Sequence, residues 1–327
     1  MSTLAIQRWS EPRPGPKNRP TILAVPAIVV QRDLRSLFAR AYPAIAASCR
    51  AVDEPGIAVV AVDETTGTPA GLAIVRAQIQ RHVALVIGRH DRCDLFLDGS
   101  PLLALRELVF VLDPVRTFTD RASVRYRVLD LRTAHGFADE AGRPLRGLVA
   151  EGPAIVRCAG YALFVLPLGD PTDWPSNAHD AWDMLPERVY MNETLGRVEH
   201  RSMRRRSMLL PIPGPRDSSM LLASDGVAAM LELSGGKLAV GAETLRDGLL
   251  LGRYLRCDGA CFVDDQQLSR VHLLLLQIDD TTLLAIDTAS THGVRVGDQP
   301  RSRVVTVPDR AELRLGGSRM VFTRRAS

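Results

Sequence analysis

Short apolar or alternating runs, separated by polar turns, occupy most of the chain. Toward the C-terminus these runs fall at 227–233, 237–240, 249–251, 272–278, 282–286, 304–307, 312–315 and 318–322. Turn-forming pairs stand between them, namely Gly235-Gly236, Asp279-Asp280, Pro308-Asp309 and Gly316-Gly317. Many short strands at this spacing predict an antiparallel β-sandwich rather than a sheet built from alternating strands and helices.

One helical pattern lies outside the strand-rich regions, near the N-terminus. Its apolar residues follow the i, i+3, i+4 spacing of an amphipathic helix at Leu34, Leu37, Phe38, Ala41 and Ile45. Pro43 is expected to kink or break this helix, because proline lacks the backbone N–H that the helix needs. The pattern predicts a short helix within an N-terminal extension, residues 1–51.

Self-comparison reveals the strand-rich pattern twice. IGRHDRCD, beginning at Ile87, recurs as LGRYLRCD at Leu251, and DLRTAHG, beginning at Asp130, recurs as DTASTHG at Asp287. The interval between the two motifs is longer in the first copy, where a polar loop is inserted. Because the motifs persist in the same order, one fold is used twice. The sequence predicts a first sandwich over 52–168, a Pro- and Arg-rich linker over 169–220 with a short helix near 177–185, and a second sandwich over 221–327.

The charge of the chain is nearly balanced. Its 327 residues include 41 Lys and Arg against 37 Asp and Glu, a net charge of +4, which is too small to mark a dedicated nucleic-acid binder. The basic cluster in the linker, residues 201–206, has no interleaved aromatic residues on which bases could stack. We therefore predict no nucleic-acid partner. Only Lys17 and Lys237 are lysines, so almost all of the basic residues are arginines. The useful question is which of these arginines form a binding site.

Several classes of protein are excluded at this point. No apolar run reaches the roughly 18 residues of a membrane span, and the N-terminus lacks the pattern of a secretory signal. Five scattered cysteines predict no disulfide framework and favour a reducing, cytoplasmic location. Cys257 and Cys261 have no second cysteine pair at zinc-like spacing, so neither a metal nor another cofactor is predicted.

A hydrolase triad is one alternative, since Ser269, His272 and Asp287 are the required residue types. The chain has no Gly-x-Ser-x-Gly elbow, and residues three apart on a continuous strand point to opposite faces. The sequence therefore predicts no catalytic residues and a non-enzymatic protein.

Three motifs in the second copy follow one another in a recognisable order: GR at Gly252, LSRVH at Leu268 and DTASTHG at Asp287. This order resembles the forkhead-associated (FHA) domain, whose pattern is Gly-Arg, then Ser-x-x-His, then a turn similar to Ser-Thr-Asn-Gly. The resemblance covers about 226–324, and more weakly 71–167. It implies an eleven-strand β-sandwich whose loops at one end bind a phosphothreonine peptide.

The resemblance also implies the residues of that site. Those expected to bind the phosphopeptide are Arg253, Ser269, Arg270, Ser290, Thr291 and His292. Those expected to support the binding loops are Gly252, His272 and Gly293. A phosphothreonine carries about −1.5 to −2 charge, which an arginine fork and a serine hydroxyl suit well.

Two departures from the family pattern limit what carries over. His292 stands where the family usually has the asparagine that holds the peptide backbone. The first copy keeps Arg89 and a matching His135 but replaces the other site positions, with Ala104, Leu105, Glu107 and Ala134. We therefore expect the first copy to be a sandwich without phosphopeptide binding.

The leading hypothesis is a non-enzymatic adaptor in Ser/Thr kinase signalling, whose second sandwich binds a phosphothreonine-containing partner and whose first is a phospho-independent scaffold. The alternative is a structural or assembly protein, for example of a bacterial secretion or cell-envelope system, in which both sandwiches bind partners regardless of phosphorylation. A third hypothesis is electrostatic binding to nucleic acid or anionic membrane through the linker.

Overall fold

The computed structural model describes residues 4–7, 32–116, 124–169, 174–185, 189–190, 208–212, 227–233, 236–258 and 266–325. The basic cluster at 201–206 and Cys261 lie outside these ranges. Within them the chain forms mostly antiparallel sheets with few helices, which confirms the predicted fold class. None of the helices in these ranges is long and apolar enough to cross a bilayer.

The first copy folds into two facing sheets. In chain order its elements are β1 (Leu4–Gln7), α1 (Leu34–Arg50), β2 (Gly56–Asp63), β3 (Pro69–Arg76), β4 (Val83–Gly88), β5 (Leu95–Phe96), β6 (Leu108–Leu112), β7 (Arg125–Asp130), β8 (Phe137–Ala138), β9 (Pro144–Leu145), β10 (Gly147–Glu151), β11 (Ala154–Cys158), β12 (Tyr161–Leu168), α2 (Ala178–Met184), β13 (Val189–Tyr190) and β14 (Met208–Ile212). Over the described residues the sheet orders are β1-β3-β2-β12-β11-β8-β9 and β13-β14-β10-β7-β6-β4-β5. Phe110, Tyr126 and Leu163 are among the buried side chains that fill the space between them.

Helix α1 covers the outer face of the first of these sheets. Asp33 caps it, since its carboxylate accepts the Ser36 N–H at 3.3 Å. The apolar stripe packs on β2 and β12, where the Phe38 and Phe164 rings meet edge-on with centroids 5.5 Å apart. The helix continues through Pro43, so the expected break is wrong. Buried residues on both sides of the proline, including Phe38 and Ile45, anchor both halves to the same sheet.

Part of the predicted linker belongs to the first sandwich. Helix α2, capped by Asn177, lies beside α1, and its Trp182 ring approaches Phe38 with centroids 5.3 Å apart. Strand β14 extends the second sheet by pairing with β10, and β13 pairs with β14. The described part of 169–220 is therefore structural and does more than tether two domains, while the domain boundaries themselves stay a prediction.

The second copy is a smaller sandwich. Its elements are β15 (Ala229–Leu233), β16 (Gly236–Val240), α3 (Ala242–Asp247), β17 (Leu249–Leu251), β18 (Leu273–Gln277), β19 (Leu283–Asp287), β20 (Val294–Val296), β21 (Val304–Thr306), β22 (Ala311–Leu315) and β23 (Ser318–Arg324). In the described residues the sheets are β16-β15-β23-β22-β20 and β17-β18-β19-β21. Each of the eight predicted runs corresponds to a strand, whereas β20 and α3 are additional.

The two sandwiches pack face to face through equivalent sheets. Strands β4, β6 and β7 of the first copy meet β17, β18 and β19 of the second across one buried apolar cluster. The leucine run of β18 divides by alternation, because Leu273 and Leu275 enter the core of the second copy while Leu274 and Leu276 face the first. Strands buried on both faces read as continuous apolar runs. The repeat alone did not predict this contact.

Two ion pairs cross the interface in opposite directions. Arg303 of the second copy donates to Asp94 of the first at 2.9 Å, and Arg132 of the first donates to Asp258 of the second at 2.6 Å. Asp94 and Asp258 occupy the same place in the repeat, and each also accepts a backbone N–H of its own sheet at 2.8 Å. The interface is therefore fixed by charge as well as by apolar packing.

Candidate functional site

Loops at one end of the second sandwich bring the predicted site residues together. The loop after β17 begins with Gly252 and Arg253, and it lies along the segment before β18 that carries Ser269 and Arg270. The Arg253 N–H donates to the Ser269 carbonyl at 3.3 Å, and the Tyr254 N–H donates to the Arg270 carbonyl at 2.9 Å. A Cβ on Gly252 would lie 2.3 Å from the Arg270 carbonyl oxygen, so only glycine allows this approach.

The loop between β19 and β20 completes the arrangement. The Thr291 N–H donates to the Ser269 hydroxyl oxygen at 3.0 Å, which links this loop to the segment before β18. Gly293 turns the chain toward β20 with φ of +71°, a left-handed conformation that favours glycine. Its N–H donates to the Ser290 hydroxyl at 2.9 Å. Ser290 is 5% exposed and holds the turn, so we place it among the supporting residues and not among the predicted peptide contacts.

His272 joins two of these loops from below. Its Nδ1 accepts the Ser269 N–H at 3.1 Å, which leaves the proton on Nε2 for donation to the Gly293 carbonyl at 3.1 Å. Burial lowers the pKa of His272, which keeps the ring in this neutral form. The structure thus places His272 where the resemblance implies a bracing residue.

The remaining predicted contacts face solvent. Arg253, Arg270, Thr291 and His292 are exposed, and Ser269, 8% exposed, lies between them and the buried brace. The surface therefore presents two exposed arginines and the exposed Thr291 beside the Ser269 hydroxyl. These are donors suited to an anion with several acceptor oxygens.

The triad alternative is not assembled. Ser269 and His272 precede β18 instead of lying along it, so the expectation that they point to opposite faces does not apply. Both ring nitrogens of His272 are instead engaged by main-chain groups, and Asp287 accepts the Ser290 N–H at 2.9 Å. The imidazole has no nitrogen left to take a proton from the serine hydroxyl.

The first copy keeps the same loop skeleton with different chemistry. A Cβ on Gly88 would lie 2.4 Å from the Leu105 carbonyl oxygen, as at the equivalent glycine of the second copy. Glu107 Oε2 accepts the Ala104 N–H at 2.6 Å, the bond that His272 Nδ1 makes in the second copy. Burial raises the pKa of Glu107 to about 7. A carboxyl group thus replaces the imidazole as the brace.

The first copy lacks most of the side chains that are predicted to bind phosphate in the second. Ala104 offers no hydroxyl where the second copy has Ser269, although the Arg89 and His135 side chains remain exposed. The turn is retained, since the Gly136 N–H donates to the Thr133 hydroxyl at 3.1 Å. Turn and close approach survive here without the donors that would surround a phosphate.

Each copy has a free cysteine at the same place under its loops. The Cys93 thiol donates to the Leu105 carbonyl and the Cys257 thiol to the Arg270 carbonyl, each at 3.3 Å. Burial raises their pKa values to about 11 and about 12, so both are protonated thiols at neutral pH. Across the described ranges, no three His, Cys, Asp or Glu side chains are grouped as metal ligands would be.

Two arginines of the first copy reach the binding loop of the second, and sequence reasoning missed both. Arg106 donates to the Thr288 and Ala289 carbonyls at 2.6 and 2.7 Å, and Arg92 donates to the Thr291 carbonyl at 2.9 Å. Their acceptors are main-chain oxygens more than 180 residues away in sequence, which leave no pattern in the side chains.

The fold is a pair of tandem β-sandwiches, and the loops at one end of the second form a candidate anion site. Residues 249–316 match the family model of the FHA domain, which confirms the resemblance for the C-terminal copy. No curated protein matches the sequence.

Solved structures similar to this chain include an FHA domain of the CT664 protein from Chlamydia trachomatis, at 18% identity over 30% of this chain and 99% of that one, with a TM-score of 0.27. A structure described as phosphothreonine-dependent FHA domain interactions is 23% identical over 31% and 99%, at 0.27. Mycobacterium tuberculosis EmbR in complex with a low-affinity phosphopeptide is 22% identical over 34% and 29%, also at 0.27.

Proposed function

We propose that the protein is a non-enzymatic adaptor that binds phosphothreonine-containing peptides through its C-terminal sandwich. The observation that carries this proposal is the exposed rim of Arg253, Arg270 and Thr291 around Ser269, within the segment that matches the FHA domain. A phosphothreonine brings three strong acceptor oxygens and about −1.5 to −2 charge. Arginine forks and a hydroxyl are the donors that such a group selects.

The partner would be a protein phosphorylated by a Ser/Thr kinase. The four described cysteines are buried free thiols, which suits a reducing, cytoplasmic setting for such signalling. His292, exposed beside Thr291, takes the place of the family's asparagine. An imidazole has a shape and donor pattern different from those of a carboxamide, so this protein would prefer peptide sequences of its own.

The first sandwich would act as a phospho-independent scaffold. Its brace is a carboxyl group, Glu107, and Ala104 supplies no hydroxyl, so its loops do not suit a phosphate. Its second sheet is buried against the C-terminal sandwich, which makes it a fixed support of that domain.

A second candidate function, assembly independent of phosphorylation, is favoured by one feature of the first copy. Leu102 and Leu105, at the loops that match the phosphate site, are 61% and 36% exposed. Exposed apolar side chains at a loop rim suit contact with an apolar partner surface, whatever its phosphorylation state.

Titration of the full chain with an oriented phosphothreonine peptide library tests the adaptor function. The full chain is required because removing the first sandwich would expose the apolar face of β17–β19. Arg253→Ala removes one partner of a charge-assisted contact and should weaken binding by about 1.5–3 kcal/mol, roughly tenfold or more. Arg89→Ala, at the matching exposed position of the first copy, is the control and should leave affinity unchanged.

Equal binding of phosphorylated and unphosphorylated peptides, lost on Leu102→Ala or Leu105→Ala, would replace the adaptor by the assembly function. An Arg253→Ala protein that binds as tightly as the parent would contradict the proposed site directly.

A further inference from the structure

The β19–β20 loop of the second copy is held by a buried charge that belongs to the first copy. Arg106 is 6% exposed, and its Nε and Nη2 donate to the Thr288 and Ala289 carbonyls at 2.6 and 2.7 Å. A buried guanidinium is costly unless its N–H groups are satisfied. Because its acceptors here are loop carbonyls, displacement of the loop would strand the charge, and the loop is therefore fixed.

The backbone at this contact is one that needs support. Ala289 has φ of +61°, the left-handed region that non-glycine residues seldom adopt. Two residues later, Thr291 contributes its N–H to the Ser269 hydroxyl, so the position of the loop sets the geometry of the candidate phosphate site. The bonds from Arg106 therefore stabilise a strained turn next to that site.

A second arginine of the first copy lies at the rim itself. Arg92 is exposed, and its Nη1 donates to the carbonyl oxygen of Thr291 at 2.9 Å. A guanidinium carries five N–H donors in a planar fork, and this bond uses one of them. Arg92 therefore brings positive charge to the part of the rim formed by Thr291. Arg92 belongs to the first copy, whereas Arg253 belongs to the second.

Among the described residues, the matching positions of the second copy give no such support in return. The position matching Arg106 in the second copy is Val271, a buried apolar residue of the interface. The position matching Arg92 is Arg256, which lies over the Tyr254 ring at 6.0 Å from its centroid. The first copy thus braces the loop of the second through two arginines, and the repeat supplies no matching pair in return.

We propose that the phosphopeptide site is shared between the two sandwiches, with Arg106 positioning the β19–β20 loop and Arg92 supplying a further guanidinium for the anionic groups of the bound peptide. This inference rests on the proposed adaptor function, and it gives the first copy a role in the binding step beyond that of scaffold.

The test uses the full chain with a fluorescein-labelled phosphothreonine peptide taken from the library, followed by fluorescence anisotropy. The variants are Arg106→Gln, Arg106→Lys, Arg92→Gln and Arg253→Ala, with Val111→Ala as the matched control. Val111 is fully buried in the same interface but lies toward the other end of β6 from Arg106. Amide hydrogen exchange of residues 288–293 without peptide reports the loop itself.

We expect Arg106→Gln to lower the affinity about tenfold and to accelerate exchange at the Thr291 amide. Arg106→Lys keeps the charge without the fork, so it should lose less. Arg92→Gln should lower affinity about threefold without changing exchange, because its effect is electrostatic at an exposed site. Val111→Ala should leave the affinity at the parent value, although it loosens the interface.

The outcomes separate the two proposals. Parental affinity and exchange in Arg106→Gln, together with lost binding in Arg253→Ala, would leave the adaptor function standing and overturn the shared site. The shared site is also wrong if Val111→Ala weakens binding as much as Arg106→Gln does, since general loosening would then explain both. A parent protein that ignores phosphorylation would end both proposals. If Arg106→Gln does not fold, Arg106→Lys and Arg92→Gln decide.

Discussion

The loops of the two copies share a backbone and differ in what they can bind. Gly88 and Gly252 allow the same close approach, each with a carbonyl oxygen within 2.4 Å of a hypothetical Cβ. Ser269 has a hydroxyl at the rim where Ala104 has none. The hydrogen bonds that shape the loops are thus separable from the side chains that would meet a phosphate. Retained shape, by itself, says nothing about retained binding.

The braces under the loops show the same separation. Glu107 and His272 accept the equivalent backbone N–H, one through a carboxyl oxygen and the other through a ring nitrogen. Burial raises the pKa of Glu107 and lowers that of His272, so both groups are driven toward their neutral forms. The hydrogen bond is common to both copies, but the contributions of Glu107 and His272 to stability change with pH in opposite directions.

The largest expected effect concerns whether the second copy stands alone. Leu274→Ala, on the face toward the first copy, should lower the free energy of unfolding by about 2–5 kcal/mol, as much as Leu275→Ala in the inner core. Urea unfolding of the full chain measures both. Leu255→Ala, at an 89% exposed position, is the control and should change little. A cost for Leu274→Ala no greater than that of the control would mean that the sandwiches do not pack.

The next effect is the opposite pH response of the two braces. The pKa of Glu107 rises from 4.5 to about 7 on folding, so its contribution to stability is full below pH 4.5 and is lost as pH rises toward 7. That loss amounts to about 3 kcal/mol. The pKa of His272 falls below 6.5, so its contribution is full above pH 6.5 and is lost as pH falls.

Urea unfolding from about pH 5 to pH 8 separates the two groups. Glu107→Gln keeps an acceptor oxygen but no longer titrates, so it should remove the loss of stability on the alkaline side while the acid-side loss from His272 persists. An unchanged alkaline profile in this variant would show that Glu107 is not the group responsible.

A graft would test which side chains account for the difference in binding. Ala104→Ser, Leu105→Arg, Glu107→His and Ala134→Thr together restore the pattern of the second copy. In an Arg253→Ala background we expect the graft to raise affinity for a phosphothreonine peptide about tenfold. Anisotropy titration measures the gain, and Arg89→Ala in the grafted protein should abolish it. No gain would mean that loop shape also differs.

The smallest expected effect lies in the turns. Ser290→Ala removes the hydroxyl that accepts the Gly293 N–H and should lower the free energy of unfolding by about 1 kcal/mol. Thr133→Ala, its match in the first copy, also loses a bond to Asp130 and should cost somewhat more. Denaturant unfolding compares the two. A large loss of phosphopeptide affinity in Ser290→Ala, without loss of stability, would restore Ser290 as a peptide contact.

The strands of the second copy could be predicted from the sequence because turn pairs divide them. The run 249–251 coincides with β17, and the others differ from their strands by a few residues at most. Strand β20 was missed because Val294–Val296 is too short to show a period, and α3 because six residues carry little helical signal.

The order of the site motifs was also readable from sequence, since Gly252, Ser269 and His272 belong to local patterns. The roles of Arg106 and Arg92 could not be predicted from sequence. Both arginines donate to main-chain carbonyl groups, which every residue possesses. The sequence does contain one signal for the interface. The leucines of β18 form a continuous run, which a sheet with one solvated face would not need.

The paired sheets meet through the same patch on each copy, and Asp94 and Asp258 each receive an arginine from the other side. The apolar part of this contact approximates an isologous one, the kind that one sandwich makes with a second molecule of itself, although the arginines that reach Asp94 and Asp258 come from different places in the repeat. Because the copies are joined in one chain, they meet at an effective concentration on the order of millimolar, and their association does not depend on the protein concentration. A fused pair of this kind allows the two copies to differ in the side chains of their loops, while both must keep the apolar patch through which they meet.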